Sequence, residues 1–206
     1  MLKNVKLILL DMDGVLFDSR LNMQLSWRDV QKKFIINKSF NQYFRYAGIP
    51  FKNILRKIQI TKNLNSIESF YQKSSLKYFN KIKLYPDVKT TLSKLSKRHI
   101  ALGIFTSKHR KRTLKLIKKF NLKFKVISTP SKGIRGKPYP DQINKSLKKF
   151  KISKKEVVYV GDMNVDCIAA KKSGIRFIYA AYGYGNIKKQ YSYTINKFNE
   201  INKIIV

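Results

Sequence analysis

Short apolar runs of strand length alternate with segments of helical periodicity along this chain, and that alternation is the strongest constraint on its fold. The runs lie at residues 5–10, 100–105, 124–128, 157–160 and 176–180. The first is densely apolar, as a central strand covered on both faces must be. Between the runs, Val88, Leu92 and Leu95, then Leu114 and Ile117, then Ile143, Leu147 and Phe150 recur at helical spacing. A further helical segment through Ile168 and Ala169 stops at Gly174, with Lys171 and Lys172 in its last turn, where the helix dipole favours cations. Residues 153–156 have capping-box spacing and predict one helical turn, and residues 198–205 predict a short closing helix. Strand and helix in alternation give a parallel, Rossmann-like α/β sheet.

One stretch breaks the alternation. Residues 19–82 contain no comparable strand, but Trp27, Val30 and Phe34, then Phe40, Tyr43, Phe44 and Ala47, then Ile54, Leu55 and Ile58 follow helical spacing. This stretch holds 11 of the 26 aromatic residues, enough for a helical core of its own. The pattern predicts a helical domain at 19–82 inserted into a discontinuous α/β core formed by 1–18 and 83–206. A chain of 206 residues can bury a core of that size.

The polar stretches beyond the runs carry the chemistry. They are Asp11-Met12-Asp13-Gly14, Thr106-Ser107, Gly136-Lys137-Pro138 and Gly161-Asp162-Met163-Asn164-Val165-Asp166. If the strands are parallel, all four arrive at one edge of the sheet, where open α/β folds bind ligands. Asp11 and Asp13 leave an extended strand end on the same side, and Gly14 lets the backbone turn away. Two neighbouring carboxylates can divide nucleophilic attack and proton transfer between them. Asp162 and Asp166, four apart at a strand-to-helix junction, share one face of the first helical turn. Carboxylates from two strand ends can hold one Mg²⁺. Thr106 offers a hydroxyl and Ser107 an amide near a helix start, an arrangement that suits phosphate oxygens as well as it suits an ordinary cap. Lys137, in a loop with few apolar residues, can neutralise a carboxylate and a phosphoryl group together.

The charge balance is 45 Lys and Arg against 11 Asp and Glu, a formal +34. That excess attracts polyanions nonspecifically, nucleic acid among them. The basic residues are spread over every helical segment, a pattern that an A+T-rich coding sequence also produces. The acids are not spread: four of the eight aspartates fall in the motifs above, which points to a bound cation. The run at 5–10 is too short for a membrane span, no small-residue cleavage site follows it, and lone Cys167 allows no internal disulfide. These readings place the protein in the cytoplasm, with no membrane span. His99 and His109 are too isolated to form a metal site, and Gly183-Tyr184-Gly185 is a weak glycine pattern with no cofactor assigned.

Read in order, Asp-Met-Asp-Gly-Val-Leu-Phe-Asp-Ser, Ile-Phe-Thr-Ser-Lys, Gly-Lys-Pro-Tyr-Pro-Asp and Val-Gly-Asp-Met-Asn-Val-Asp resemble the haloacid dehalogenase superfamily of phosphatases. More narrowly, they resemble its phosphoglycolate phosphatase and β-phosphoglucomutase branch, which carries a helical cap between the first and second motifs. The resemblance implies that Asp11 is the nucleophile and becomes an aspartyl phosphate. Asp13 is implied as general acid and then base, with Thr106 and Lys137 holding the phosphoryl oxygens. Asp162 would ligate Mg²⁺ with Asp11 and the backbone carbonyl of Asp13, and Asp166 would support the metal directly or through water. The dehalogenases use one carboxylate without this metal site, so Asp13 favours phosphate ester hydrolysis over dehalogenation.

Two residues depart from the family pattern. Asp87 stands where glycine is frequent and reads as a helix N-cap, and Ser107 stands where asparagine is frequent. Asp18 and Ser19 fall at the hinge of the cap that the resemblance implies. A mutase of the same fold is the alternative, as is a basic nucleic-acid-binding module using the fold as scaffold. The stretch 19–82 carries 13 basic residues and two acids, which favours a small anionic phosphorylated metabolite of the phosphoglycolate or sugar-phosphate type, with Arg45 and Arg56 as candidate contacts.

Overall fold

Strand β1 (Leu7–Leu10) is fully buried, and its alternation divides the core. Leu7 and Leu9 pack on one face of the sheet, Ile8 and Leu10 on the other. The computed structural model describes residues 1–185, 191 and 193–206. After β1 comes the short strand β2 (Phe17–Asp18), then four helices: α1 (Arg20–Phe34), α2 (Phe40–Phe44), α3 (Phe51–Lys57) and α4 (Leu64–Lys77). Strand β3 (Lys83–Leu84) pairs antiparallel with β2, so the chain leaves and re-enters the α/β part through a two-stranded ribbon. Then follow α5 (Val88–Lys97), β4 (Ala101–Phe105), α6 (Arg110–Lys119), β5 (Val126–Ser128) and α7 (Asp141–Phe150). The chain continues with β6 (Val157–Gly161), α8 (Asn164–Ser173), β7 (Arg176–Ala180), β8 (Thr194–Ile195) and α9 (Ile201–Ile204).

The main sheet is parallel, in the order β5-β4-β1-β6-β7-β8. Counted along the sheet's own strands this is 3-2-1-4-5-6, the doubly wound order, and the direction of winding reverses between β1 and β6. Leu92 and Leu95 of α5 and Leu116 of α6 cover one face; Ile143 and Leu147 of α7 and Ala169 and Ala170 of α8 cover the other. This confirms the parallel Rossmann-like α/β core expected from the apolar runs.

Helices α1 to α4 build a separate cluster around Trp27, Val30, Tyr43, Phe44, Leu55 and Tyr71, in which the Trp27 and Tyr43 rings stack at 4.7 Å. The predicted turn at 153–156 is present as a 3-10 turn at Lys154–Glu156, where Glu156 accepts the Ser153 N–H at 3.0 Å. Strands β2, β3 and β8 were not signalled, because two residues are too few to show a period. Asp87 precedes α5 but does not cap it with its side chain. Its φ is +61°, the left-handed region that glycine favours, and its carboxylate accepts from Asn199 Nδ2 at 2.9 Å instead. Among the described residues no helix is long and apolar enough to cross a membrane.

Candidate active site

The reversal of winding between β1 and β6 opens a crevice at the carboxyl ends of those strands, and the acidic motifs lie there. Asp11 follows β1 and donates its N–H to Val160 O of β6 at 2.9 Å, which sets the spacing of the two strand ends. Carboxylate oxygens of Asp11, Asp162 and Asp166, all buried, come within 4.8 Å of one another. Gly14, at φ +90°, passes so close to the Asp162 carboxylate that a Cβ there would collide with it.

Lys137 enters this cluster from the loop after β5. Its side chain is 0% exposed, and its Nζ lies 2.5 Å from Asp11 Oδ1 and 2.7 Å from Asp166 Oδ1. The ammonium also sits 5.0 Å from the Phe105 ring centre and 5.4 Å from that of Tyr159. Outside, Asp141 accepts from Arg135 Nε at 2.8 Å and Nη2 at 2.9 Å, closing the loop that carries Lys137. Burial by itself would push the Lys137 ammonium down, but Asp11 and Asp166 outweigh it and hold the pKa above the usual lysine value.

Both Asp166 oxygens are engaged. Oδ1 accepts the Tyr159 hydroxyl at 2.7 Å as well as Lys137, and Oδ2 accepts the Met163 N–H at 2.9 Å. Asp162 is different: Oδ2 accepts the Tyr184 N–H at 2.7 Å, while buried Oδ1 has no hydrogen-bond partner among the described residues. An orphaned buried carboxylate oxygen beside two further carboxylates is what a hard divalent cation would satisfy. Burial, followed by the charges of Asp166 and Asp11, raises Asp162 well above the usual carboxylate range. Burial likewise pushes Asp11 up to about 7, Lys137 opposing the rise and Asp166 adding to it.

This has a consequence for stability without metal. A carboxyl that binds its proton more tightly folded than unfolded stabilises the fold below the unfolded value of 3.8, and that contribution is lost as pH rises towards 7. The metal-free protein is therefore expected to melt at a lower temperature at pH 7.5 than at pH 5, by an amount on the order of a few kcal/mol in unfolding free energy. Saturating Mg²⁺ should flatten that slope. Thermal melts at both pH values, with Mg²⁺ and with chelator, read it directly, and a rise from pH 5 to 7.5 with chelator would refute it.

Asp13 does not join the cluster of three with its side chain. Its Oδ1 accepts the Ser19 hydroxyl at 2.5 Å and its Oδ2 pairs with Lys108 at 2.9 Å, which ties it to the start of α1 and to the loop before α6. Buried Thr106 uses its hydroxyl to accept the Lys108 N–H at 3.1 Å, and Ser107 Oγ donates to Gly48 O of the helical stretch at 2.6 Å. Thr106 is not the cap of α6, which His109 precedes. A cavity of about 160 Å³ lies over Asp11 and Asp13, floored by Thr106 and Lys108 and roofed by Tyr43 and Ile54. Arg45 and Arg56 line a different, larger groove of about 720 Å³ that also reaches Lys137 and Pro138.

The loop at 183–185, a weak glycine pattern in the sequence, is also part of the site, a role its residue types do not specify. The Tyr184 ring packs 5.1 Å from Phe44 of α2, and its hydroxyl accepts the Ser19 N–H at 2.6 Å, so one residue touches Asp162, the start of α1 and the helical roof. A Cβ on Gly183 would overlap Asp162, and one on Gly185 would overlap the Asp162 carbonyl. The two glycines were the available signal, marking a close backbone approach. Gly183→Ala is expected to displace Asp162 and to raise the Mg²⁺ concentration needed for half-maximal stabilisation by about 10- to 100-fold. A Mg²⁺ titration of the melting temperature checks this, an unchanged midpoint being the contrary result.

The chain is similar to known proteins over most of its length. It is 26% identical over 178 residues to pyrophosphatase PpaX of Oceanobacillus iheyensis, covering 84% of this chain and 82% of that one. It is 24% identical over 208 residues to a phosphoglycolate phosphatase of Aquifex aeolicus, covering 98% and 97%. Among solved structures, a haloacid dehalogenase-like family hydrolase from Streptococcus pneumoniae superposes with a TM-score of 0.85 at 20% identity, covering 98% of each chain. CbbY from Rhodobacter sphaeroides, solved with phosphate, gives 0.83 at 17% identity, covering 96% of each. Residues 8–180 match the sequence model of the haloacid dehalogenase-like hydrolases. The motif order, the doubly wound sheet with its helical insertion, and this match agree: the chain belongs to the haloacid dehalogenase-like hydrolase family.

Proposed function

We propose that this enzyme is a Mg²⁺-dependent phosphatase that hydrolyses a small phosphomonoester through an aspartyl phosphate on Asp11. The observation that carries the reading is the buried set of Asp11, Asp162 and Asp166 with Lys137 between two of them and one Asp162 oxygen unpartnered. Lys137 engages Asp11 through Oδ1, and no hydrogen bond among the described residues engages Oδ2, which is the oxygen assigned to attack. In the first step Asp11 Oδ2 forms a bond to phosphorus, the ester P–O bond breaks, and Asp13 delivers a proton to the departing oxygen. In the second step Asp13, now a carboxylate, takes a proton from water as that water attacks phosphorus and restores Asp11.

Lys137 offsets charge on Asp11 and on the phosphoryl oxygens, and Thr106 holds one of those oxygens at the cavity floor. Asp11, Asp162 and the Asp13 carbonyl would hold Mg²⁺, with Asp166 fixing Lys137 and supporting the ion from behind. When bound, the ion would neutralise charge developing on the phosphoryl group. The helical unit at 19–82 acts as the cap: its roof over the cavity excludes water, and the β2–β3 ribbon is its hinge.

The names of the relatives agree with this class of reaction. The test is phosphate release from a panel of small phosphomonoesters with Mg²⁺ and with chelator. Release is expected with Mg²⁺, lost on chelation and restored by adding the ion back. Silence across the panel, or release indifferent to the chelator, would refute the reading.

A further inference from the structure

Strand β5 is an edge of the main sheet, and a groove of about 420 Å³ runs along it. That volume falls within the range of about 300–1,000 Å³ typical of small-molecule sites. Among the described residues Pro130 alone borders both this groove and the cavity over Asp11, so the groove is a separate place on the molecule.

The edge is closed to a further strand. Ser128 O accepts the Thr106 N–H at 3.1 Å and so faces β4, which turns Ile127 outward. The outward Ile127 O already accepts from Arg110 Nη1 at 3.2 Å, and Pro130, just past the strand, has no N–H to offer. The groove therefore suits a compact molecule better than an extended peptide.

Its lining supplies an amide, two rings and four cations. Gln142, in the first turn of α7, borders the groove and is 2% exposed, yet neither Oε1 nor Nε2 has a hydrogen-bond partner among the described residues. The Ser146 hydroxyl, one turn on, is spent on the Gln142 backbone carbonyl at 2.9 Å. A buried primary amide left unpaired is costly, and a group that satisfies both of its ends must present a donor beside an acceptor. Adenine does so with N6 and N7. Half-buried Phe124 and Phe150 offer ring faces on which a base can stack. Arg110, Lys125, Lys145 and Lys149 border the groove and no acid does, which suits a phosphate. Cations are common over the whole of this chain, so it is the Gln142 amide that distinguishes this groove from other basic surface.

We infer that the groove along β5 is a binding site for an adenine nucleotide, with the base paired to the Gln142 amide and the phosphate held by the cations at its rim. It lies outside the crevice and would bind its ligand whatever ester Asp11 attacks.

Calorimetric titration of AMP into the protein with chelator present tests this. AMP should bind at one site, with adenosine and inorganic phosphate each weaker by about tenfold or more, since each lacks part of the contacts. Gln142→Leu replaces an unpaired amide with an apolar group of similar size, so the fold is kept. It should weaken AMP by about 10- to 100-fold and leave inorganic phosphate unchanged. Lys145→Gln combined with Lys149→Gln should weaken AMP and leave adenosine unchanged. Asp11→Asn, which alters the crevice and not the groove, should bind AMP as the wild type does. Wild-type affinity in Gln142→Leu, or AMP bound no better than inorganic phosphate, would reduce the groove to charge attraction and overturn the site. An AMP affinity altered by Asp11→Asn would place the nucleotide in the crevice and overturn it as well.

Discussion

Asp11→Asn is expected to lower kcat by about 10⁴-fold or more while the protein stays folded. The substitution replaces one oxygen by nitrogen, so packing in the crevice is kept, but in the proposed mechanism the nucleophile and one metal ligand are lost together. Stability should hold or improve in the metal-free protein at pH 8. The wild-type carboxyl there is charged against its surroundings, since burial has pushed it up to about 7. Lys137 keeps a carboxylate in the variant, because Asp166 remains at 2.7 Å. Phosphate release together with a thermal melt decides the matter. Retained turnover would remove Asp11 from the mechanism, and a lost melting transition would make it a structural residue.

Lys137→Met should produce the largest loss of stability. Methionine can follow the lysine stem between Phe105 and Tyr159, so the apolar contacts survive, but Asp11 and Asp166 are left buried without their shared cation. Breaking a buried ion pair from one side costs about 3–5 kcal/mol, or roughly 6–20 °C in melting temperature for a chain of this size. The pH dependence separates charge from packing. At pH 5 Asp11 can take up a proton and relieve the repulsion, so the deficit should shrink relative to pH 8 without metal. A deficit equal at both pH values would assign the loss to packing. Turnover should fall as well, because in the proposed mechanism the same ammonium offsets charge on the phosphoryl group.

The parts of this enzyme that a sequence shows plainly are those fixed by local pattern. The strand ends carrying Asp11, Thr106 and Asp162 follow apolar runs, and the spacing of Asp162 and Asp166 follows from a helix start. Lys137 was marked by the proline and glycine beside it, although nothing local shows that it is buried. Arg112 was invisible for a physical reason: in a chain with 45 basic residues, a cation that faces a cavity looks like any other at helical spacing. Arg45 and Arg56 were chosen because they lie in the helical insertion, yet they line the outer groove, while the cation bordering the cavity comes from the core helix α6. Tyr184 escaped because its contacts with Ser19 and Asp162 join points 165 and 22 residues away. Asp87 looked like a cap by residue type, whereas the left-handed turn it occupies depends on the entry angle of α5.

Strand β1 lies at the middle of the sheet but is made long before its neighbours. Its partners β4 and β6 begin at residues 101 and 157, so at about 5–20 residues per second the ribosome delivers the first of them roughly 5–20 s later. Through that interval a short, wholly apolar segment with both edges open is part of the nascent chain, the kind of sequence that pairs with copies of itself. The helical stretch that follows it closes on its own residues, α1 packing on α4, and all of them emerge before β4, whereas the crevice cannot form until Tyr184 has emerged. Until β4 and β6 emerge, the four apolar residues Leu7 to Leu10 are the part of the nascent chain that most needs shielding from other open strands.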